Sequence, residues 1–181
     1  MLSTFQAGKE VPVNDSEKPL IYIETTIPGY LVANPSRSMV LSYHQLQTRE
    51  WWGNHLSEFQ PVISPEVILE ISRGDPEMAA RRAKALQNIP ELATTESVFQ
   101  IQEAFTRSRI LPEKAASDIL HLAFATGHGC SFLLTWNCKH INNPFMIEKL
   151  RAVAERLGFT FPIITTPSGL LGVSDQQYEY D

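Results

Sequence analysis

Short apolar runs, too brief for helices and each closing on polar residues before a helical pattern resumes, recur along this chain and leave it few possible folds. Leu20-Ile21-Tyr22-Ile23 stops at Glu24-Thr25-Thr26, and Pro28 then suits the first turn of a helix. Pro61-Val62-Ile63-Ser64 is a second run, followed by Ser64 as a helix N-cap with Pro65 at the first helical position. Ser131-Phe132-Leu133-Leu134-Thr135 is the clearest buried strand. Phe161-Pro162-Ile163-Ile164 reads as a last strand at a sheet edge, because its proline cannot donate to a ladder. Glu91 to Thr95 is a weaker third-strand candidate. Strands that are apolar throughout and alternate with helices imply a mostly parallel sheet covered on both faces.

The intervening segments carry the helical signals. From Arg37 to about Phe59, apolar residues recur at Met39, Val40, Tyr43, Leu46, Trp51, Leu56 and Phe59, broadly at helical spacing. Trp51 and Trp52 read as core or dimer-contact residues rather than a base-stacking platform. Gly74-Asp75-Pro76 ends the helix after Ser64, and Asp75 caps the next one, which runs to about Asn88. Helical pattern returns at Ser97 to Arg107. It returns again after Pro112, where Ile119, Leu122, Ala123 and Ala125-Thr126 form an apolar face that Gly127 closes, and finally at Ile141 to Leu157. A chain of 181 residues with 43% apolar content buries a sizeable core as one domain, here residues 19–172. Residues 1–18 lack periodicity and read as a flexible leader, and residues 173–181 as an acidic tail.

Several function classes drop out. No apolar stretch approaches the roughly 20 residues a bilayer requires, and the N-terminus lacks a basic-then-apolar signal, so a cytoplasmic protein is expected. Cys130 and Cys138 flank a strand that holds them beyond disulfide reach, which fits a reducing compartment. Cys138-x-His140 has no second ligand pair to complete a structural zinc site. The net charge of −5 is concentrated at the termini, in Glu10, Asp15, Glu17, Asp175, Glu179 and Asp181, while Arg73, Arg81, Arg82 and Lys84 cluster in sequence. This balance neither demands nor forbids nucleic acid as a partner.

In open parallel sheets, ligands bind beyond the carboxyl ends of the strands. Glu24 follows the first strand and Asn137 the Ser131–Thr135 strand, so neighbouring strands would turn both side chains to one cleft. Two helical carboxylates can join them: Glu70, within Glu66-Val67-Ile68-Leu69-Glu70-Ile71, and Asp118, near the start of the apolar-faced helix. A carboxylate at a core boundary needs a basic partner or a metal, and a single cation answers all three charges. Oxygen-only ligation favours Mg2+ or Mn2+ over zinc. Each residue also has a plainer role. Glu24 can exploit a helix dipole, Glu70 can pair with Arg73, Asp118 can serve as an N-terminal helix charge, and Asn137 as a turn residue. His121 and His140 read as hydrogen-bonding or packing histidines.

Four segments together resemble the PIN domain family, and within it the VapC-like ribonucleases: Tyr22-Ile23-Glu24-Thr25-Thr26; Leu69-Glu70-Ile71 with Gly74-Asp75; Ala116-Ser117-Asp118-Ile119-Leu120-His121-Leu122-Ala123; and Leu133-Leu134-Thr135-Trp136-Asn137-Cys138-Lys139-His140. They stand in family order and span residues 20 to 171. The resemblance implies a three-layer α/β/α sandwich around a four- to five-stranded sheet, with an acidic cluster binding Mg2+ or Mn2+. It places Glu24 where the family has its first Asp, Glu70 at the helical Glu, Asp118 at the helix-start Asp, and Asn137 where many members have a fourth Asp. It implies hydrolysis of RNA phosphodiesters by a metal-activated water, leaving a 5′-phosphate. Thr25 and Thr135 would orient carboxylates or contact phosphate, and Lys139 would contact phosphate. Homodimerisation and a small antitoxin protein as partner are implied as well. The departures at Glu24 and Asn137 keep open an alternative, a PIN-like scaffold that binds RNA or protein without cutting it. A receiver-like domain would need paired N-terminal acids, and a Rossmann domain a glycine-rich turn after the first strand; neither is present.

Overall fold

The structure is a computed structural model that describes residues 18–171; apart from Lys18, the expected leader and the acidic tail lie outside the described residues. Strand β1, Leu20–Ile23, buries Ile21, Tyr22 and Ile23 completely. Successive side chains point to opposite faces of a strand, so both faces of the sheet are covered there, as apolar parallel strands require. β1 lies between β2, Gln60–Val62, and β3, Phe132–Leu134, with β4, Ile163–Thr165, beyond β3. All three pairings are parallel, in the order β2-β1-β3-β4. Ile23 stands opposite Leu134, so the chains leaving β1 and β3 emerge level at one mouth of the sheet. This is the α/β sandwich with a parallel sheet that the alternating pattern implies.

Two strand expectations resolve in detail. Pro162 falls just before β4, which does lie at the sheet edge. Glu91 to Thr95 does not form a strand: it makes one parallel bridge, Ile63 to Glu91, formed by the Ile63 N–H to the Pro90 carbonyl at 3.0 Å and the Leu92 N–H to the Ile63 carbonyl at 2.8 Å. Pro90 has no N–H to extend the ladder backwards, and Thr95 is already committed as the cap of the next helix, accepting from the Val98 N–H.

Among the described residues, eight α-helices connect and cover the strands: α1 Thr26–Val32, α2 Met39–Asn54, α3 Pro65–Ile71, α4 Pro76–Leu86, α5 Glu96–Ser108, α6 Ala116–Gly127, α7 Pro144–Arg156 and α8 Pro167–Leu171. α7 starts later than the apolar pattern, because Asn143 caps it through the Phe145 N–H while Ile141 is buried in the preceding turn. α8 has no counterpart in the sequence expectations. The orientation of α2 also departs from its pattern. Met39, Val40, Tyr43 and Leu46 face outward, and Gln45, Thr48 and Trp51 face inward. Hydrogen bonds rather than hydropathy set this rotation. Gln45 donates to the Asn34 carbonyl and accepts from the Ser36 N–H, Thr48 accepts from the Trp136 indole, and Arg49 donates to the Leu31 and Ala33 carbonyls behind α1. Trp51 is fully buried against Phe59 and Trp52, as a core residue.

The two expected caps behave differently. Asp75 accepts from the Met78 N–H at 2.9 Å and holds the start of α4. Asp75→Ala is therefore expected to lower unfolding free energy by about 1 kcal/mol in urea titrations. Ser64 stands at the N-cap of α3 without capping it, because its hydroxyl is engaged by Tyr22. Arg82 donates to the Ile71 and Arg73 carbonyls, and Arg81 makes surface bonds to Glu77 and Asn34, so half of the basic cluster seen in the sequence is engaged by the chain itself.

Candidate metal centre at the sheet mouth

Glu24 is the first residue past β1 and leads into α1. Its side chain is 4% exposed. Oε2 accepts from the Thr26 N–H at 3.0 Å, the Thr26 hydroxyl at 2.5 Å and the Thr135 hydroxyl at 2.7 Å. Oε1 accepts no hydrogen bond among the described residues, and no Lys or Arg among them forms an ion pair with the carboxylate. A buried charge of this kind demands a positive neighbour.

That neighbour comes from α6. His121 is 1% exposed, and its Nε2 lies 3.0 Å from Glu70 Oε2. Glu70, on the last turn of α3, also accepts from the Thr25 hydroxyl at Oε2 and the Ser117 hydroxyl at Oε1, both at 2.5 Å. The hydrogen bond from His121 is the main cause that brings the Glu70 carboxyl down to about 2, with the two hydroxyls adding to it against the cost of burial. Burial works against a charged His121, yet the Glu70 hydrogen bond and the nearby Glu24 charge outweigh it and raise its pKa. Arg73, the partner expected for Glu70 from sequence, makes only a backbone contact with it.

Behind His121, its Nδ1 lies 2.8 Å from the Tyr22 hydroxyl, which in turn lies 2.6 Å from Ser64 Oγ. Tyr22 is fully buried, and desolvation raises its pKa well above the usual value, so the phenol stays protonated. The Glu24 and Glu70 carboxylates and the His121 ring each offer one ligand atom, all within 4.8 Å of one another.

Asp118 lies one turn before His121 on α6 and belongs to an adjoining group. Its Oδ1 accepts from Asn137 Nδ2 at 2.8 Å, and its Oδ2 lies 2.7 Å from His140 Nδ1. Asn137 Oδ1 meanwhile accepts from the His140 N–H at 3.2 Å, so both ends of the amide are engaged. The Asn137 N–H donates to the Thr135 hydroxyl, which donates to Glu24, joining the two groups in one network. Lys139 is exposed in the turn between Asn137 and His140. Among the residues proposed from sequence, the structure thus draws Glu24 and Glu70 together, with Thr135 and Thr25 on their oxygens. It pairs Asp118 with Asn137 beside them.

Four contributors had no site role in the sequence reading: Thr26, Ser117, Tyr22 and His121, the last expected as a hydrogen-bonding or packing histidine and found hydrogen-bonded and buried. The signal for His121 was its three-residue spacing from Asp118, which sets both on one helix face. As a donor set, two carboxylates and an imidazole fit a divalent ion.

No protein-family model and no curated protein sequence matches this chain. Among solved structures it is similar to VapBC2 from Rickettsia felis bound to a DNA fragment from their promoter, with a TM-score of 0.47 and 14% identity, over 81% of this chain and 98% of that one. It is also similar to tyrosyl-tRNA synthetase from Archaeoglobus fulgidus complexed with L-tyrosine, with a TM-score of 0.44 and 12% identity, over 84% of this chain and 56% of that one. At these identities the likenesses concern backbone arrangement alone.

Proposed function

We propose that this protein is a divalent-metal-dependent endoribonuclease that hydrolyses RNA phosphodiester bonds, acting in the cytoplasm as the toxin of a toxin–antitoxin pair. The observation that carries the metal is Glu24, a buried carboxylate with no Lys or Arg partner among the described residues, grouped with Glu70 at the sheet mouth. RNA as substrate rests on the four ordered sequence segments that resemble VapC-like nucleases.

Glu24 and Glu70 would hold Mg2+ or Mn2+, with Asp118 completing the acidic mouth. When bound, such an ion supplies Lewis-acid polarisation of the phosphate and a nucleophilic water at neutral pH. Thr135 and Thr26 fix the Glu24 carboxylate, while Thr25 and Ser117 fix that of Glu70, so neither rotates away as charge develops. Asn137 and His140 hold Asp118 in place from behind. Lys139, exposed in the turn beside this group, would contact a phosphate. The outward stripe of Met39, Val40, Tyr43 and Leu46 is the surface that a second copy or an antitoxin would cover.

Purified protein should cleave RNA only with Mg2+ or Mn2+, and Asp118→Asn should lower the rate at least about a hundredfold. Unchanged cleavage in that variant rejects the site. A second reading, a scaffold that binds without cutting, is favoured by Asn137, whose amide is fully engaged and neutral. It predicts no manganese heat at the cluster in calorimetry and no cleavage with any divalent ion.

A further inference from the structure

An all-oxygen site would take magnesium readily, but the atoms gathered at this mouth are not all oxygen. His121 Nε2 stands with one oxygen from each of Glu24 and Glu70 inside a 4.8 Å group, while Asp118 is occupied elsewhere by Asn137 and His140. The opposite edge of the imidazole is fixed. Nδ1 lies 2.8 Å from the Tyr22 hydroxyl, which in turn lies 2.6 Å from Ser64 Oγ. In the metal-free protein the Nε2–H bonds Glu70; an ion there would take the place of that proton, leaving the ring proton on Nδ1 facing the Tyr22 hydroxyl and the Nε2 lone pair directed into the acidic mouth. A hydrogen-bonded partner on the far nitrogen is the usual device that fixes the tautomer and orientation of a metal-binding histidine. The ring cannot swing aside, because it is enclosed by the core and packs edge-on against the Tyr22 ring.

We propose that His121 is a metal ligand through Nε2, held by the Tyr22–Ser64 relay, and that this nitrogen makes the site selective for a first-row transition ion such as Mn2+ over Mg2+. The claim rests on the metal-centre reading above and adds the donor that decides the ion. Magnesium demands oxygen ligands and keeps its waters, whereas imidazole nitrogen suits transition ions, so one fixed nitrogen in a set of three shifts the preference. The relay makes Tyr22 a positioning residue: Tyr22→Phe leaves Nδ1–H without an acceptor and should weaken Mn2+ binding by about 10- to 100-fold without changing the ligand set.

The test is pulsed electron paramagnetic resonance of the full chain titrated with Mn2+ alone, read for nitrogen-14 modulation from a directly bound imidazole. The expected result is one bound Mn2+ with modulation from a single nitrogen. It should be lost in His121→Gln and kept in His140→Gln, together with an Mn2+ over Mg2+ preference that falls at least about tenfold in His121→Gln. Bound Mn2+ without nitrogen modulation, or modulation that disappears in His140→Gln instead, overturns this proposal and leaves the carboxylate site standing. No bound Mn2+ in the wild-type protein overturns both. Because the decisive spectrum is that of the wild type, poor folding of a variant does not protect the claim.

Discussion

Glu24→Gln is expected to reduce manganese affinity by at least about a hundredfold while leaving the metal-free protein as stable as the wild type or more so. The substitution keeps the shape and one acceptor oxygen, so Thr26 and Thr135 retain a partner. It removes a buried negative charge that no Lys or Arg among the described residues pairs. In the absence of an ion that charge is offset mainly through His121, and relief of desolvation compensates for the lost attraction. With the ion, one of two anionic ligands disappears. Isothermal calorimetry with Mn2+ reads the first effect and thermal unfolding in chelator the second. A variant that binds manganese like the wild type, or that unfolds far more easily without metal, would mean Glu24 serves the fold through its hydrogen bonds alone.

The metal-free protein is expected to lose stability in acid because of Glu70. Its folded pKa, brought to about 2 chiefly by the His121 hydrogen bond, lies below the ordinary carboxylate value of 4.5. A depressed carboxylate stabilises the fold fully above its unfolded pKa, and the contribution disappears as pH falls from about 4.5 towards 2. The full shift corresponds to about 3 kcal/mol, which partial solvent exposure of Glu70 reduces to about 2 kcal/mol. His121 carries the opposite sign. Its raised pKa adds stability below its ordinary value of 6.5, and that contribution is lost as pH rises through the folded value. These are two views of one ion pair, so the metal-free protein should be most stable between the two ranges. Urea unfolding from pH 2.5 to 8 in metal-free buffer should show that dome, and Glu70→Gln should flatten its acid limb. An acid limb of equal slope in the variant would assign the loss to other carboxylates.

Much of this arrangement was legible before any coordinates. The apolar runs at Leu20–Ile23 and Phe132–Leu134 stop abruptly at polar residues, and in a parallel sheet such stops mark the mouth, which is why Glu24 and Asn137 stand there. Glu70 was visible as a charge amid Val67 and Ile71, both core residues. His121 was harder to see. A single histidine between Leu120 and Leu122 has the local pattern of a packing residue, and only the 99 and 51 positions separating it from Tyr22 and Glu70 supply its partners. The inward face of α2 was hidden for the same reason. Gln45 and Thr48 are buried because Asn34, Ser36 and Trp136 satisfy them, and such long-range hydrogen bonds leave no periodic trace. The short α8 and the single bridge at Glu91 are too brief for any repeat to announce.

That Glu24 and Glu70 share one divalent ion at the sheet mouth is tested most directly by crystals grown with Mn2+ and measured at the manganese absorption edge. The account predicts one strong anomalous peak within about 2.5 Å of an oxygen from each carboxylate. Crystals in which manganese scatters only at surface carboxylates, with the Glu24 and Glu70 oxygens bridged by protein or water alone, would contradict it.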